Sequence, residues 1–424
     1  MTIYVVKRGD TLWRIANLYQ VSINDIIAVN QLENPDVLVV GQAIIIPEED
    51  DYHIVRPGET LWSIAQRYRV PLMDLIRVNR IVNPNLIYPG MLLYIPKPTI
   101  EVNGYLTRTG EIGENILREL GEYLTYVSLF DYRIQEDGSV IQLQDEALIN
   151  MARDMNVAPL MTLTNFSEGG FSSELAHVLL SNPQAQEILL TNVIRIMDEK
   201  GFIGLNIDFE YVYPEDRELY NQFLRRTVTR LHQRGFLVST ALAPKISATQ
   251  SGLLYEAHDY PVHGQLADFV VLMTYEWGWS RGRPWAIAPI NEVKRVLDYA
   301  VTVIPPSKIL MGMPLYGRDW RLPYVQGVTV ARTVSSNEAL ALAARFGAQI
   351  QYHELYQSPF FRYFDDQGNE HEVWFEDARS YQAKYDVVKQ YGLRGVSYWE
   401  LNLESPQNWP VLVSNFNMRK FQGL

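Results

Sequence analysis

Apolar and polar positions change rhythm near residue 98. Beyond it, short apolar runs alternate with stretches whose apolar residues recur at helical spacing. The runs predict strands at Val102–Leu106, Tyr123–Phe130, Ala158–Asn165, Leu205–Glu210, Leu237–Ala243, Phe269–Tyr275, Ile309–Tyr316 and Gly395–Glu400. Eight strands with helices between them predict a (β/α)8 barrel over residues 100–424, whose chemistry belongs at the C-terminal strand ends. Between about residues 318 and 375 the rhythm breaks. That segment is rich in Tyr, Phe and turn residues, as in Phe360–Asp366. It predicts a small α+β insertion between strand seven and its helix, able to wall one side of a cleft.

Within strand four, Gly204–Glu210 alternates apolar residues with Asn206, Asp208 and Glu210. Period-two alternation puts these three side chains on one side. Carboxylates that close raise each other's pKa, so one holds its proton at neutral pH, as a general acid must. Taken alone, the pair also fits a solvated strand end. However, Tyr275 with Glu276 and Trp399 with Glu400 fall at the same end of strands six and eight. That clustering points to an active site.

Ahead of residue 98 the chain repeats itself without a gap. Residues 4–47 return as 53–96, so that Gly9-Asp10-Thr11-Leu12-Trp13 becomes Gly58-Glu59-Thr60-Leu61-Trp62, and Asn34-Pro35 becomes Asn83-Pro84. Each copy predicts strand, helix, helix, strand, with Thr11 and Thr60 as helix N-caps. Trp13, Ile15, Ala16 and Tyr19 are read as the apolar stripe of the first helix, with Trp13 and Trp62 in the core. The acidic run Glu48–Asp51 predicts a solvated linker.

These repeats resemble the LysM module, which binds N-acetylglucosamine-containing glycans. The boundaries are 1–48 and 51–97. The resemblance implies sugar contacts at Gly9, Asp10, Thr11, Leu12, Asn34 and Pro35, and at Gly58, Glu59, Thr60, Leu61, Asn83 and Pro84. Two weak sites on one chain would act by avidity on a polymer.

The barrel resembles glycoside hydrolase family 18, the chitinase-like family. The matches are Ile203–Glu210 on strand four, Met273-Thr-Tyr275-Glu276 on strand six, Gly312–Arg318 on strand seven, and Gly395–Glu400 on strand eight. The resemblance implies substrate-assisted hydrolysis, in which the sugar's own 2-acetamido group attacks the anomeric carbon. Glu210 would be the acid/base, Asp208 would support the acetamido nitrogen, and Tyr275 would hold its carbonyl side. It also implies substrate-binding roles for Asn206, Trp399, Glu276, Met273, Tyr316, Arg318 and Tyr105. Trp399 reads either as the floor of the sugar site or as barrel core, and Glu276 either as a substrate contact or as half of a salt bridge. Three positions depart from the family pattern: Ile203 and Asn206 stand where it has aspartates, and Glu276 replaces another. Asn206 cannot titrate, so the family's full proton relay is not expected. No metal or cofactor is required.

Composition narrows the partners. The chain has 424 residues, is 47% hydrophobic and carries a formal net charge of −12, which argues against nucleic acid. No apolar run is long enough to span a membrane. The N-terminus lacks the layout of a secretory signal, and cysteine is absent. LysM repeats ahead of a family 18 barrel resemble the cortex-degrading glycosidases of endospore formers. The implied function is an N-acetylglucosaminidase of spore cortex peptidoglycan, located in the spore's outer layers or on the cell wall. A chitinase would share every residue named, and a non-catalytic glycan-binding coat protein is the alternative outside enzymes.

Overall fold

A computed structural model describes residues 1–47, 52–68 and 70–421. The predicted linker Glu48–Asp51 lies outside the described residues. Eight parallel strands close into a barrel: Thr99–Leu106, Tyr126–Ile134, Ala158–Thr164, Gly204–Asp208, Leu237–Leu242, Phe269–Leu272, Ile309–Pro314 and Gly395–Trp399. They are called barrel strands one to eight below. Most of their side chains are buried whichever way they point, inward to the barrel or outward to the helices, so the strands read as near-continuous apolar runs. The second strand starts later and ends later than the sequence predicts. Gly121–Tyr123 is a 3-10 turn, and the strand continues to Ile134 through a register shift between Leu129 and Tyr132.

The insertion is a five-stranded antiparallel sheet with the helix Ser336–Arg345. It leaves the barrel at Gly317, after strand seven, and returns at Trp374, before the helix Ala378–Tyr391.

The two repeats fold alike. Asn30 donates to the Ile26 and Ile45 carbonyls and accepts from Ile45 N–H; Asn79 does the same with Leu75 and Tyr94. Thr11 caps one first helix by accepting from Arg14 N–H, and Thr60 caps the other by accepting from Ser63 N–H. The apolar stripe, however, is Leu12, Ile15 and Ala16, with Leu61, Ile64 and Ala65 in the second copy. Trp13 and Trp62 are 66% and 64% exposed, not core as their sequence setting predicts. Each lies one residue past the stripe, about 100° around the helix.

The first repeat is docked on the catalytic body. Its Val39 packs in the insertion's core, and Ala43 and Ile45 pack in the barrel's. Gln407 donates to Asn30 and to the Ala43 carbonyl, and Ile350 N–H donates to the Val40 carbonyl. Gly41 sits at φ +88°, where a Cβ would meet the Ile350 carbonyl oxygen at 1.8 Å; Gly90, its counterpart at φ +89°, has nothing within 4 Å. The same turn is thus a contact in one copy and open in the other.

Candidate active site

Strand four ends at Asp208, and the next two residues are clamped from both sides. The Phe209 side chain turns outward and stacks on Tyr220 and Phe223 of the helix Arg217–His232. Its neighbours Asp208 and Glu210 therefore face the barrel mouth. The Phe209 carbonyl accepts from His258 Nε2 at 2.9 Å, while His258 Nδ1 accepts from Ala243 N–H. Burial pushes that imidazole down to about 4, so it stays neutral in this tautomer. Asn165, just past strand three, holds Glu210 itself. Its side chain accepts from Glu210 N–H at 3.0 Å and donates to the Glu210 carbonyl at 2.8 Å. The backbone carrying the terminal carboxylate has little freedom.

Around this carboxylate stand residues from six other strand ends. Tyr275 follows strand six, and Gly312 on strand seven leaves room for it; a Cβ there would meet the Tyr275 ring at 2.8 Å. Glu276, at φ +67°, accepts from Arg318 at 2.8 Å and from the Tyr316 hydroxyl. Trp399 ends strand eight, wedged edge-on between Tyr105 and Phe130 with ring centroids 5.5 and 5.1 Å away. Below this layer, Asn206 is wholly buried. It accepts from the Tyr105 hydroxyl at 3.0 Å and donates to Ser239 on strand five at 2.9 Å. From strand two comes Asp131, which accepts from Thr164 and from Arg133, each at 3.0 Å.

Two carboxyls close together in a buried mouth hold their protons more tightly than usual. Burial, then the Asp131 carboxylate, lifts Asp208 to about 7. Burial, then the carboxylates of Asp208 and Glu276, pushes Glu210 well above the usual range. The Tyr275 phenol is raised further by burial first. Such a site presents one protonated carboxyl at its surface with a second carboxyl directly beneath it, a layout for donating a proton to a leaving oxygen.

The sequence signature of glycosyl hydrolases family 18 matches residues 124–404 of this chain. The chain belongs to glycoside hydrolase family 18. The LysM signature matches residues 4–47 and 53–96. Over 99% of both chains, the sequence is 52% identical to a cortical fragment-lytic enzyme of Bacillus subtilis. The fold matches the crystal structure of the Bacillus cereus spore cortex-lytic enzyme SleL with a TM-score of 0.87, at 41% identity and 99% coverage of both. A chitinase from Chromobacterium violaceum covers 75% of this chain and 99% of its own, at 26% identity and a TM-score of 0.68.

Against that family frame, the structure brings Asp208, Glu210, Tyr275, Glu276, Tyr316, Arg318 and Trp399 to one mouth, with Met273 half-buried at its edge. Asn206 and Tyr105 are buried and bonded to each other beneath this layer. Glu276 forms a salt bridge with Arg318 at 2.8 Å while its side chain stays partly exposed at the mouth. In the repeats, Leu12 and Leu61 are buried in the module cores. Asp10 accepts from Tyr4 and Lys7 N–H, and Glu59 accepts equivalently from His53 and Arg56 N–H, so both carboxylates staple their own turns. Gly9, Thr11, Gly58 and Thr60 stay in those turns, and Asn34-Pro35 and Asn83-Pro84 in the facing loops. The Asn34 loop also borders a hollow of about 250 Å³ against the helix Ser336–Arg345. Sequence reasoning missed Asn165, His258 and Asp131. Asp131 directly follows the predicted strand Tyr123–Phe130, but nothing in that run marks the register shift at this point of the strand.

Proposed function

We propose that this glycosidase cleaves after N-acetylglucosamine in spore cortex peptidoglycan or its fragments, by substrate-assisted catalysis with retention. The observation that carries the chemistry is the Glu210 carboxyl at the mouth, held well above the usual carboxylate range by burial and then by the carboxylates of Asp208 and Glu276. Its backbone is fixed by Asn165, and the second carboxyl, Asp208, lies on the same strand face. Neighbours two residues apart on one strand cannot flank a sugar ring from opposite sides. Glu276, the other carboxylate at the mouth, is tied up by Arg318 and Tyr316. Among the described residues no protein nucleophile faces Glu210, so in this reading the attacking oxygen comes from the substrate's acetamido carbonyl.

In this reading Glu210 gives its proton to the leaving oxygen as the acetamido oxygen attacks the anomeric carbon, and a cyclic oxazolinium forms. Asp208 accepts from the acetamido N–H and stabilises the positive charge. The Tyr275 hydroxyl positions the acetamido group, and Trp399 underlies the sugar ring. Glu210, now ionised, then takes a proton from the water that opens the ring. The LysM repeats hold the enzyme on insoluble glycan, associated with the cortex or the cell wall. The cortex assignment draws on the full-length likeness to cortical fragment-lytic enzymes. Among the described residues no helix is long and apolar enough to cross a membrane.

Glu210→Gln keeps the shape and removes the proton. Turnover of soluble muropeptide fragments should fall by roughly 10²–10⁴-fold, while binding to cortex glycan persists. An active Gln variant would take the acid role away from Glu210.

A further inference from the structure

Asp208 sits on a floor from which the family's second aspartate is missing. At that position Asn206 is fully engaged, accepting from Tyr105 and donating to Ser239, and it cannot take up a proton. The Asp208 Oδ1 atom is buried without a hydrogen-bond partner. A carboxylate that can answer Asp208 has to come from another strand.

Strand two delivers one. Its pairing with strand three shifts register between Leu129 and Tyr132, leaving Phe130 and Asp131 out of the regular ladder. Such irregularities bend a strand and re-aim its side chains. Phe130 packs on Trp399, while Asp131, only 7% exposed, reaches Thr164. Thr164 is the residue directly opposite Asp208 in the strand three–strand four register. The Thr164 hydroxyl thus ties Asp131 to the strand position that pairs with Asp208. Both hydrogen bonds to Asp131 end on its Oδ2, from Thr164 and from Arg133.

We propose that Asp131 is a positioning residue for the reaction, the second carboxylate that acts on Asp208 from strand two in place of the one that Asn206 lacks. The inference rests on the proposed reading of Glu210 and Asp208. Other groups near Asp208 cannot do this. Tyr105 from strand one, Tyr275 from strand six and Tyr220 from the helix behind strand four are phenols that burial keeps neutral. His258, beside Tyr220, is neutral as well. Glu210 is itself a proton holder, and Glu276 is paired with Arg318. Arg133, 40% exposed, is the cation that tempers Asp131 from the rim. Consistent with this geometry, the Asp131 carboxylate is the charge that adds to burial in raising Asp208.

The test is the pH profile of kcat/KM for the full chain on soluble muropeptide fragments, with a ¹³C NMR titration of the Asp208 carboxyl. The limb near pH 7 follows Asp208. Asp131→Asn should move that limb, and the NMR midpoint, toward acid by about one pH unit. Arg133→Gln should move both the other way, and Asn206→Asp placed in the Asp131→Asn background should move them back up. A merely structural ion pair would lower Tm or overall rate and leave the limb in place, which would overturn the inference. If Asp131→Asn does not fold, Arg133→Gln decides alone, and an unshifted limb there counts against the idea. Glu210→Gln separates the two failures. If it is inactive and the Asp131→Asn limb is unmoved, only the role of Asp131 is lost; if it is active, the reading of the site fails first.

Discussion

Replacing Asp208 by Asn should make the folded protein more stable at alkaline pH while removing its activity. The folded-state pKa of Asp208 is about 7, against an ordinary aspartate value of 3.8. The folded chain therefore holds this proton more tightly than the unfolded chain does. Its contribution to stability is fully present below about pH 4 and is lost as pH rises through 7. Above that, keeping a buried charge beside Asp131 costs the fold up to about 4 kcal/mol, at 1.36 kcal/mol per pKa unit. Asp208→Asn never ionises, and the space at Oδ1 holds no bond that the change would break. Denaturant melts of wild type and variant should differ by only about 1 kcal/mol at pH 4.5. At pH 8 the variant should be the more stable by a few kcal/mol, while hydrolysis of muropeptide fragments is lost. Equal stability at pH 8, or a gap of the same size at both pH values, would refute the assignment of a raised pKa to this carboxyl.

Two further outcomes follow from named contacts. Asn165→Ala removes both hydrogen bonds that fix the Glu210 backbone; kcat should fall at least tenfold with KM little changed, read by steady-state kinetics on soluble fragments. Gly41→Ala should destabilise the protein by a few kcal/mol more than Gly90→Ala, compared by thermal melts. Both positions carry the same positive φ, but only the first would drive a Cβ into Ile350.

How legible the sequence was depends on how local the cause is. The eight barrel strands could be read because each is buried on both faces and ends in polar residues at the mouth. The repeats could be read because pairs such as Asn30 and Asn79 make the same bond to the closing strand of each copy. Asp131 was hidden because its role depends on a register shift that only pairing with strand three creates. Asn165 was hidden because its partner lies 45 residues away in the chain. The misplaced tryptophans had a local cause. Trp13 and Leu12 both fit an apolar stripe by spacing to Ile15 and Ala16, and the choice is settled by which helix face meets the module core. Asymmetry between the repeats is invisible in a pattern that makes Gly41 and Gly90 equivalent.

The central claim is that the substrate supplies its own nucleophile to a site with one working acid. It is tested most directly by following the anomeric configuration by NMR during hydrolysis of cortex fragments, together with mass spectrometry of the new reducing end and of the intact protein. The account predicts a retained configuration, N-acetylglucosamine at the new reducing end, and no sugar attached to the protein. It also predicts that a substrate de-acetylated at the cleaved residue stays intact. Inversion at the anomeric carbon, or a covalent glycosyl adduct on Asp208, would contradict it.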